Sequence, residues 1–227
     1  MTVTDNLFGT TALTGTRAET IKKTYLLLGL SVIGGFCGGY IGAQSDALVR
    51  LFTGWLGWIL AMVLLNVIPR LAMAARHNPV LGVTALVGDG FVSGLVLAPI
   101  LRFASLYAPG TIQIAALMTL IVFGCITLIV MSSKRTFSAP RGLMLGIFVS
   151  IVAAMALNTF LNIGVLGILI AAGIGILGVC NLVYATSAVL HNPDADSPIP
   201  GALILFAGLF NVFVAILNIL LRLNRRR

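Results

Sequence analysis

Two apolar stretches near the C-terminus, Gly164–Leu190 and Ile199–Leu221, carry no charged residue and are joined by a short loop, His191–Pro198. A helix that crosses a hydrocarbon core roughly 30 Å thick needs about 20 residues at 1.5 Å each, so either stretch is long enough. Such segments leave few folds open, because in lipid every backbone N–H and C=O must be satisfied internally, and a helix does this within one segment. Composition points the same way: the chain is 59% hydrophobic and 9% charged, against about 25% charged in soluble domains. The expected fold is an all-α, polytopic protein of the lipid bilayer, with one compact membrane domain.

The rest of the chain divides by proline and charge. Residues 1–23 are rich in Thr and Gly, end in Arg17, Lys22 and Lys23, and are expected to form a mobile tail. A cleaved signal peptide is not expected, since the polar lead is too long and no small-x-small site follows. The first span is predicted over Thr24–Ala43, with glycines at 34, 35, 38, 39 and 42; such residues let helix backbones approach closely in lipid. The next spans are Phe52–Ile68, stopping at Pro69-Arg70; Asn78 to about Leu101, with Pro99 as a possible kink; Thr111–Met131; and a stretch that starts after Pro140-Arg141 and runs to about Leu161. The two opening stretches complete seven spans across 24–222, leaving 223–227 as a basic tail. The sixth is long enough that it must tilt, bend near Gly173, Gly175 and Gly178, or project from the membrane.

Loop charges give an orientation. Lys and Arg favour short cytoplasmic segments. With a cytoplasmic N-terminus that side collects Arg17, Lys22, Lys23, Arg70, Arg76, Lys134, Arg135 and Arg141, while the opposite loops hold Arg50 and Arg102. The terminal arginines 222 and 225–227 argue the other way. Either the seventh segment crosses against its charge bias or one segment is re-entrant; seven spans are expected.

The net charge of +8 suggests nucleic acid in a soluble chain, but here the basic residues sit between apolar segments, where topology accounts for them, so no nucleic-acid partner is expected. Cys37, Cys125 and Cys180 fall inside spans without metal-ligand spacing and are expected to be small packing residues. His77 and His191 form no cluster. No cofactor, metal site or enzyme constellation is expected.

One charge lies well inside an apolar segment. Asp89 sits about ten residues beyond Pro79, near 15 Å deep at about 1.5 Å per residue. A carboxylate there costs at least about 2.5 kcal/mol on insertion scales, so it must face protein or water. Ser93 lies one turn on along the same face, between Gly90 and Gly94. Two readings stay open: a proton- or cation-responsive group in a polar pocket, or a permanently neutral acid hydrogen-bonded for packing. Asn66, Asn158, Asn181, Tyr184, Thr186 and Asn211 are the other polar residues inside spans. Each alone is an expected interhelical hydrogen bond; together they are able to line a cavity.

Several stretches share an order and spacing with a known family. These are Lys23–Leu28, the run Gly94-Leu95-Val96-Leu97-Ala98-Pro99-Ile100-Leu101, Ser133-Lys134-Arg135, Asn158–Leu161, Tyr184–Ser187 and Leu209–Phe213. From Lys23 onward the chain resembles the bacterial branch of the Bax inhibitor motif family, of the YccA type. The resemblance implies a seven-helix bundle whose last helix is central, wrapped by the other six, in the bacterial inner membrane. It implies one of two roles. Many members are pH-sensitive calcium leak pathways, with paired aspartates on the sixth and seventh helices. YccA-like members instead associate with FtsH, a membrane-anchored ATP-dependent (AAA) protease, and restrain it. At the two aspartate positions this chain has Ala185, before Thr186, and Gly208, three residues before Asn211. Two acids sharing a proton or a cation titrate as a coupled pair; alanine and glycine do neither. The expected function is therefore that of a non-enzymatic modulator of an FtsH-type protease. The alternative is a calcium or proton pathway built on Asp89, Ser93, Asn181, Tyr184 and Asn211.

Overall fold

The computed structural model describes residues 3–133, 136–138, 141–161, 163–191 and 197–224. Among them every regular element is helical: α1 Val3–Gln44, α2 Asp46–Leu51, α3 Gly54–Ala74, α4 Pro79–Val96, α5 Ala98–Tyr107, α6 Thr111–Ser132, α7 Arg141–Leu161, α8 Gly164–His191 and α9 Pro198–Asn224, with a 3-10 turn at Ala75–His77. Six helices are long and apolar enough to cross a membrane, and α4 with α5, bent by 52°, count as a seventh when the pair is taken as one broken span. This is a multi-pass all-α membrane protein.

Local chemistry sets most boundaries. The Asn78 carboxamide caps α4 by accepting from the Val80 and Leu81 N–H groups, and Pro79 fills the first position, where a missing N–H costs nothing. The bent span breaks at Leu97, and Pro99 stands in the first turn of α5, so the expected kink is a break between two helices. Gly110 adopts a φ of +86° ahead of α6, in the left-handed region that glycine enters without a Cβ penalty. Two boundaries differ from expectation. Helix α3 does not stop at Pro69 but continues through it to Ala74; one proline removes a single backbone bond, which the rest of a transmembrane helix tolerates. Residues 3–23, expected as a tail, continue α1, for no proline interrupts Val3–Gln44. At 42 residues α1 is about 63 Å long, well beyond the hydrocarbon core.

Helix α9 is central. It packs against α1, α3, α4, α6 and α8, whereas α7 joins the bundle through α8, so the wrapping is less even than the family resemblance implies. The α1–α4 interface is backbone on backbone: a Cβ at Gly38 would overlap the Phe91 carbonyl, one at Gly90 the Ser31 carbonyl, and one at Gly94 the Gly35 carbonyl. The Ser31 hydroxyl donates across this interface to the Leu86 carbonyl at 3.3 Å.

Contacts between distant segments define two ends of the bundle. At the lower end, Thr24 faces Gly201, the Ser197 hydroxyl donates to the Arg76 carbonyl at 3.3 Å, and the Phe137 N–H donates to the Ser187 hydroxyl at 2.8 Å. At the upper end Arg102 donates to the Ala43 carbonyl at 2.9 Å and pairs with Asp46 at 3.0 Å. Ala104, Ala108, Ala115, Leu217 and Leu221 cluster there. Arg222 donates to the Gly164 carbonyl at 3.4 Å, its guanidinium lying over Gly167 where a Cβ would stand. The start of α1 and the end of α9 therefore lie at opposite ends, which is the odd number of crossings expected. Residues 134–135, 192–196 and 225–227, whose charges enter the orientation count, lie outside the described residues.

Candidate functional site: the two faces of the central helix

Helix α9 presents different surfaces to its two sets of neighbours. Along one face Ile199, Ala202 and Leu203 pack with Leu27 of α1, Ala72 of α3 and Leu86 of α4, and Phe206 lies against Gly35 of α1 at 3.8 Å from its Cβ position. Along the other, Gly208, Val212 and Ala215 meet α8. A Cβ at Gly208 would stand 2.8 Å from the Leu182 Cγ and 3.1 Å from the Gly178 carbonyl, and one at Gly175 would stand 3.1 Å from the Ala215 methyl. At about 100° per residue, positions 206 and 208 point to nearly opposite sides of the helix.

The predicted site residues lie on α4, α8 and α9. Asp89 and Ser93 are buried, at 4% and 3% exposure. They stand on α4 one turn beyond Leu86, next to the glycines that dock on α1. The Asp89 carboxyl makes no side-chain hydrogen bond or ion pair with the described residues. Ala185 and Gly208 are both buried in the α8–α9 region: Ala185, at 1% exposure, shares a cluster with Leu182, Leu205, Phe206 and Leu209. Asn181 and Tyr184 are half-buried on α8. Asn211, also half-buried on α9, has its Cβ 3.0 Å from the position a Gly178 Cβ would take. The structure thus places Asp89 and Ser93 together on α4, and Asn211, Gly208 and Ala185 at the α8–α9 seam.

The remaining polar residues of the spans are used locally. The Asn66 amide donates to the Met62 carbonyl of its own helix at 2.7 Å, and the Asn158 carbonyl accepts from the Ile163 N–H at 3.0 Å, closing the α7–α8 turn. Neither crosses between helices. Cys37, Cys125 and Cys180, expected as packing residues, are exposed on the outer surface. In a membrane protein that surface meets lipid, where a thiol is as well placed as in the core, so apolarity alone does not predict an inward position. No three His, Cys, Asp or Glu side chains converge on a metal-binding geometry among the described residues.

Residues that sequence reasoning passed over also stand out. Four buried side-chain polar atoms lack a hydrogen-bond partner among the described residues: Tyr25 OH, Thr127 Oγ1, Thr186 Oγ1 and His191 Nδ1. Thr186 carried a signal, as one of the polar residues inside the spans. Tyr25 and Thr127 had none, since a single hydroxyl in an apolar segment is commonplace.

Comparison with known proteins decides the family. The family model described as "Inhibitor of apoptosis-promoting Bax1" matches residues 17–226. The chain belongs to the Bax inhibitor-1 family. Among its curated relatives in this family, an uncharacterized protein of Campylobacter jejuni, Cj0236c, is 30% identical over 91% of this chain and 89% of its own. NMA0420 of Neisseria meningitidis, also uncharacterized, is 30% identical over 96% of this chain and 97% of its own. A protein of Escherichia coli K12 named "Modulator of FtsH protease YccA" is 26% identical over 89% of both chains. The Bax inhibitor-1 assignment agrees with the motif order from Lys23 onward, and Ala185 and Gly208 fall in the segments that form the α8–α9 seam.

Proposed function

We propose that this chain is a non-enzymatic protein of the bacterial inner membrane that binds and modulates an FtsH-type protease. The observation that carries the reading is the closed α8–α9 seam. Where paired acids would have to face each other, Gly208 lets Leu182 and the Gly178 carbonyl close against α9, and Ala185 is fully packed. A cation pathway needs groups that replace hydration, usually charged rings or carbonyls; a methyl and a hydrogen supply none. The similarity to YccA, named for modulating FtsH, then favours the protease partner. The part of α1 that precedes the membrane span at Ala18 gives such a partner something to hold.

Co-purification of the tagged full chain with endogenous FtsH, together with the FtsH-dependent half-life of the chain, tests this. Retention of FtsH is expected, and deleting residues 1–17 is expected to lengthen the half-life while leaving the bundle folded. Absence of FtsH from the purified chain, with turnover unchanged in an FtsH-depleted strain, overturns the proposal. A second reading, a cation pathway through α4, is favoured by one observation: Asp89 and Ser93 are buried one turn apart, with no partner for the carboxyl among the described residues. It predicts calcium flux in reconstituted vesicles that Asp89→Asn abolishes. The modulator reading predicts little flux from the unmodified protein and none that depends on Asp89.

A further inference from the structure

The outer surface of the bundle carries a cleft where three helices leave space between them. Ala171, Ala172 and Gly175 of α8, Ala215 and Ile219 of α9 and Val122 of α6 line a volume of about 370 Å³. At Gly175 the two longer helices come close enough that an added Cβ would stand 3.1 Å from the Ala215 methyl. Ile176 and Cys180 also line the cleft and are exposed, so in a bilayer it opens to lipid. Every lining side chain is apolar or a thiol. Along α8 the lining runs from Ala171 to Cys180, about 14 Å at roughly 1.5 Å per residue. One leaflet of the hydrocarbon core is about as deep, roughly 15 Å.

A positive charge stands at the upper end of this cleft. Arg222 lies one turn beyond Ile219 on α9, and its guanidinium covers Gly167, one turn before Ala171 on α8. One N–H reaches the Gly164 carbonyl at 3.4 Å, long for such a bond. A guanidinium carries five N–H donors in a planar fork, and no carboxylate pairs with this one among the described residues, where the ion pairs are Lys23–Glu19 and Arg102–Asp46. An apolar trough one leaflet deep, headed by an arginine with donors to spare, matches an amphiphile with an anionic head and an acyl chain. A neutral lipid or an apolar protein helix fills the trough but leaves the guanidinium without an acceptor. We propose that the cleft between α6, α8 and α9 binds an anionic phospholipid, with one acyl chain laid over Gly175 and the phosphate on Arg222. The small side chains of α8 and α9 make room for the chain, and pairing of guanidinium with phosphate holds the head. The site requires neither a protease partner nor an ion pathway.

Native mass spectrometry of the purified full chain tests the site, in neutral detergent with equal amounts of dioleoyl phosphatidylglycerol and dioleoyl phosphatidylcholine. The two lipids have identical chains, so a difference in retention reports the head alone. One phosphatidylglycerol per chain is expected to stay bound, favoured about fivefold over phosphatidylcholine, which corresponds to about 1 kcal/mol for one arginine at an anionic lipid surface. Arg222→Gln is expected to abolish the preference. Ala172→Leu keeps Arg222 and fills the cleft, and is expected to reduce retention of both lipids severalfold; it decides the matter if Arg222→Gln does not fold. Changing Arg225, Arg226 and Arg227 to Gln is expected to leave the preference intact. Glycerol phosphate in excess, a head without chains, is expected not to displace the lipid. Equal retention of the two lipids overturns the site, as does a preference that survives Arg222→Gln or is lost with the three terminal arginines. Displacement by glycerol phosphate, or retention unchanged in Ala172→Leu, shows an anion-binding arginine without a lipid groove and overturns it equally.

Discussion

Gly208 and Ala185 show how far a single position constrains chemistry. The family resemblance implies aspartates at these two positions, which raises the question of whether introducing them creates a pathway. The structure answers at Gly208: any Cβ there stands 2.8 Å from Leu182 Cγ and 3.1 Å from the Gly178 carbonyl. Leucine can move; a helix backbone moves only if α8 separates from α9. Gly208→Asp therefore combines overpacking, typically about 1–3 kcal/mol, with the burial of an acid that has no cation beside it. It is expected to destabilise the protein by about 3 kcal/mol or more, seen as a lower unfolding midpoint or loss of folded protein in detergent. The double substitution with Ala185→Asp should fall below either single one and yield no calcium flux. A stable, conducting double variant would mean that the seam opens more readily than its packing indicates. What the sequence conveyed here was the absence of two carboxylates; that the space they would need has been closed depends on how α8 and α9 approach, and no residue type states that.

At the scale of elements, α1 and α4 illustrate which features a sequence exposes. The glycines at 34, 38, 90 and 94 were visible as a close-approach pattern, and the helices do meet there through their backbones. The pattern does not say which glycine is at the contact. Gly88 and Gly90 lie two residues apart on the same helix, yet a Cβ at Gly88 meets nothing within 4 Å while one at Gly90 would overlap the Ser31 carbonyl. Gly90→Ala is expected to lower the unfolding midpoint sharply by prising α4 from α1. Gly88→Ala should be neutral or raise stability by up to about 1 kcal/mol, since alanine is the better helix former. Equal effects at the two sites would contradict the interface. Helix boundaries were legible where a cap or a positive φ fixed them, as at Asn78 and Gly110, and illegible at Pro69, where a helix held by its neighbours carried on through a residue that stops an isolated one. The polar residues were the least legible: Asp89 signalled its depth through its charge, but nothing in the sequence says that Tyr25 of α1 meets Thr127 and Phe123 of α6, a contact made by helices far apart in the chain.

For the whole molecule, the open question in the sequence was whether α9 crosses against its terminal arginines. It does cross, from Ser197 beside Arg76 at the lower end to Arg222 beside Gly164 at the upper. Lys22, Lys23, Arg70 and Arg76 gather at the lower end, and Arg50, Arg102 and Arg222 at the upper. Two of those three upper arginines are held: Arg102 by the Ala43 carbonyl and Asp46, Arg222 by the Gly164 carbonyl in the gap that Gly167 leaves open. An arginine bound to backbone at a helix end adds packing that offsets an unfavourable charge bias, and α9 is the helix against which most of the bundle is assembled. If the lower end is cytoplasmic, as the excess of basic residues there favours, a reporter fused after residue 227 should read periplasmic and one inserted between residues 134 and 140 should read cytoplasmic. Gly167→Val should displace the Arg222 guanidinium and lower the unfolding midpoint without inverting either reporter, because the crossing of α9 rests on its apolar length and its packing. A cytoplasmic signal from both reporters would place the C-terminus on the same side as the loop between α6 and α7, and no arrangement of the bundle with α9 running from the lower end to the upper is compatible with that.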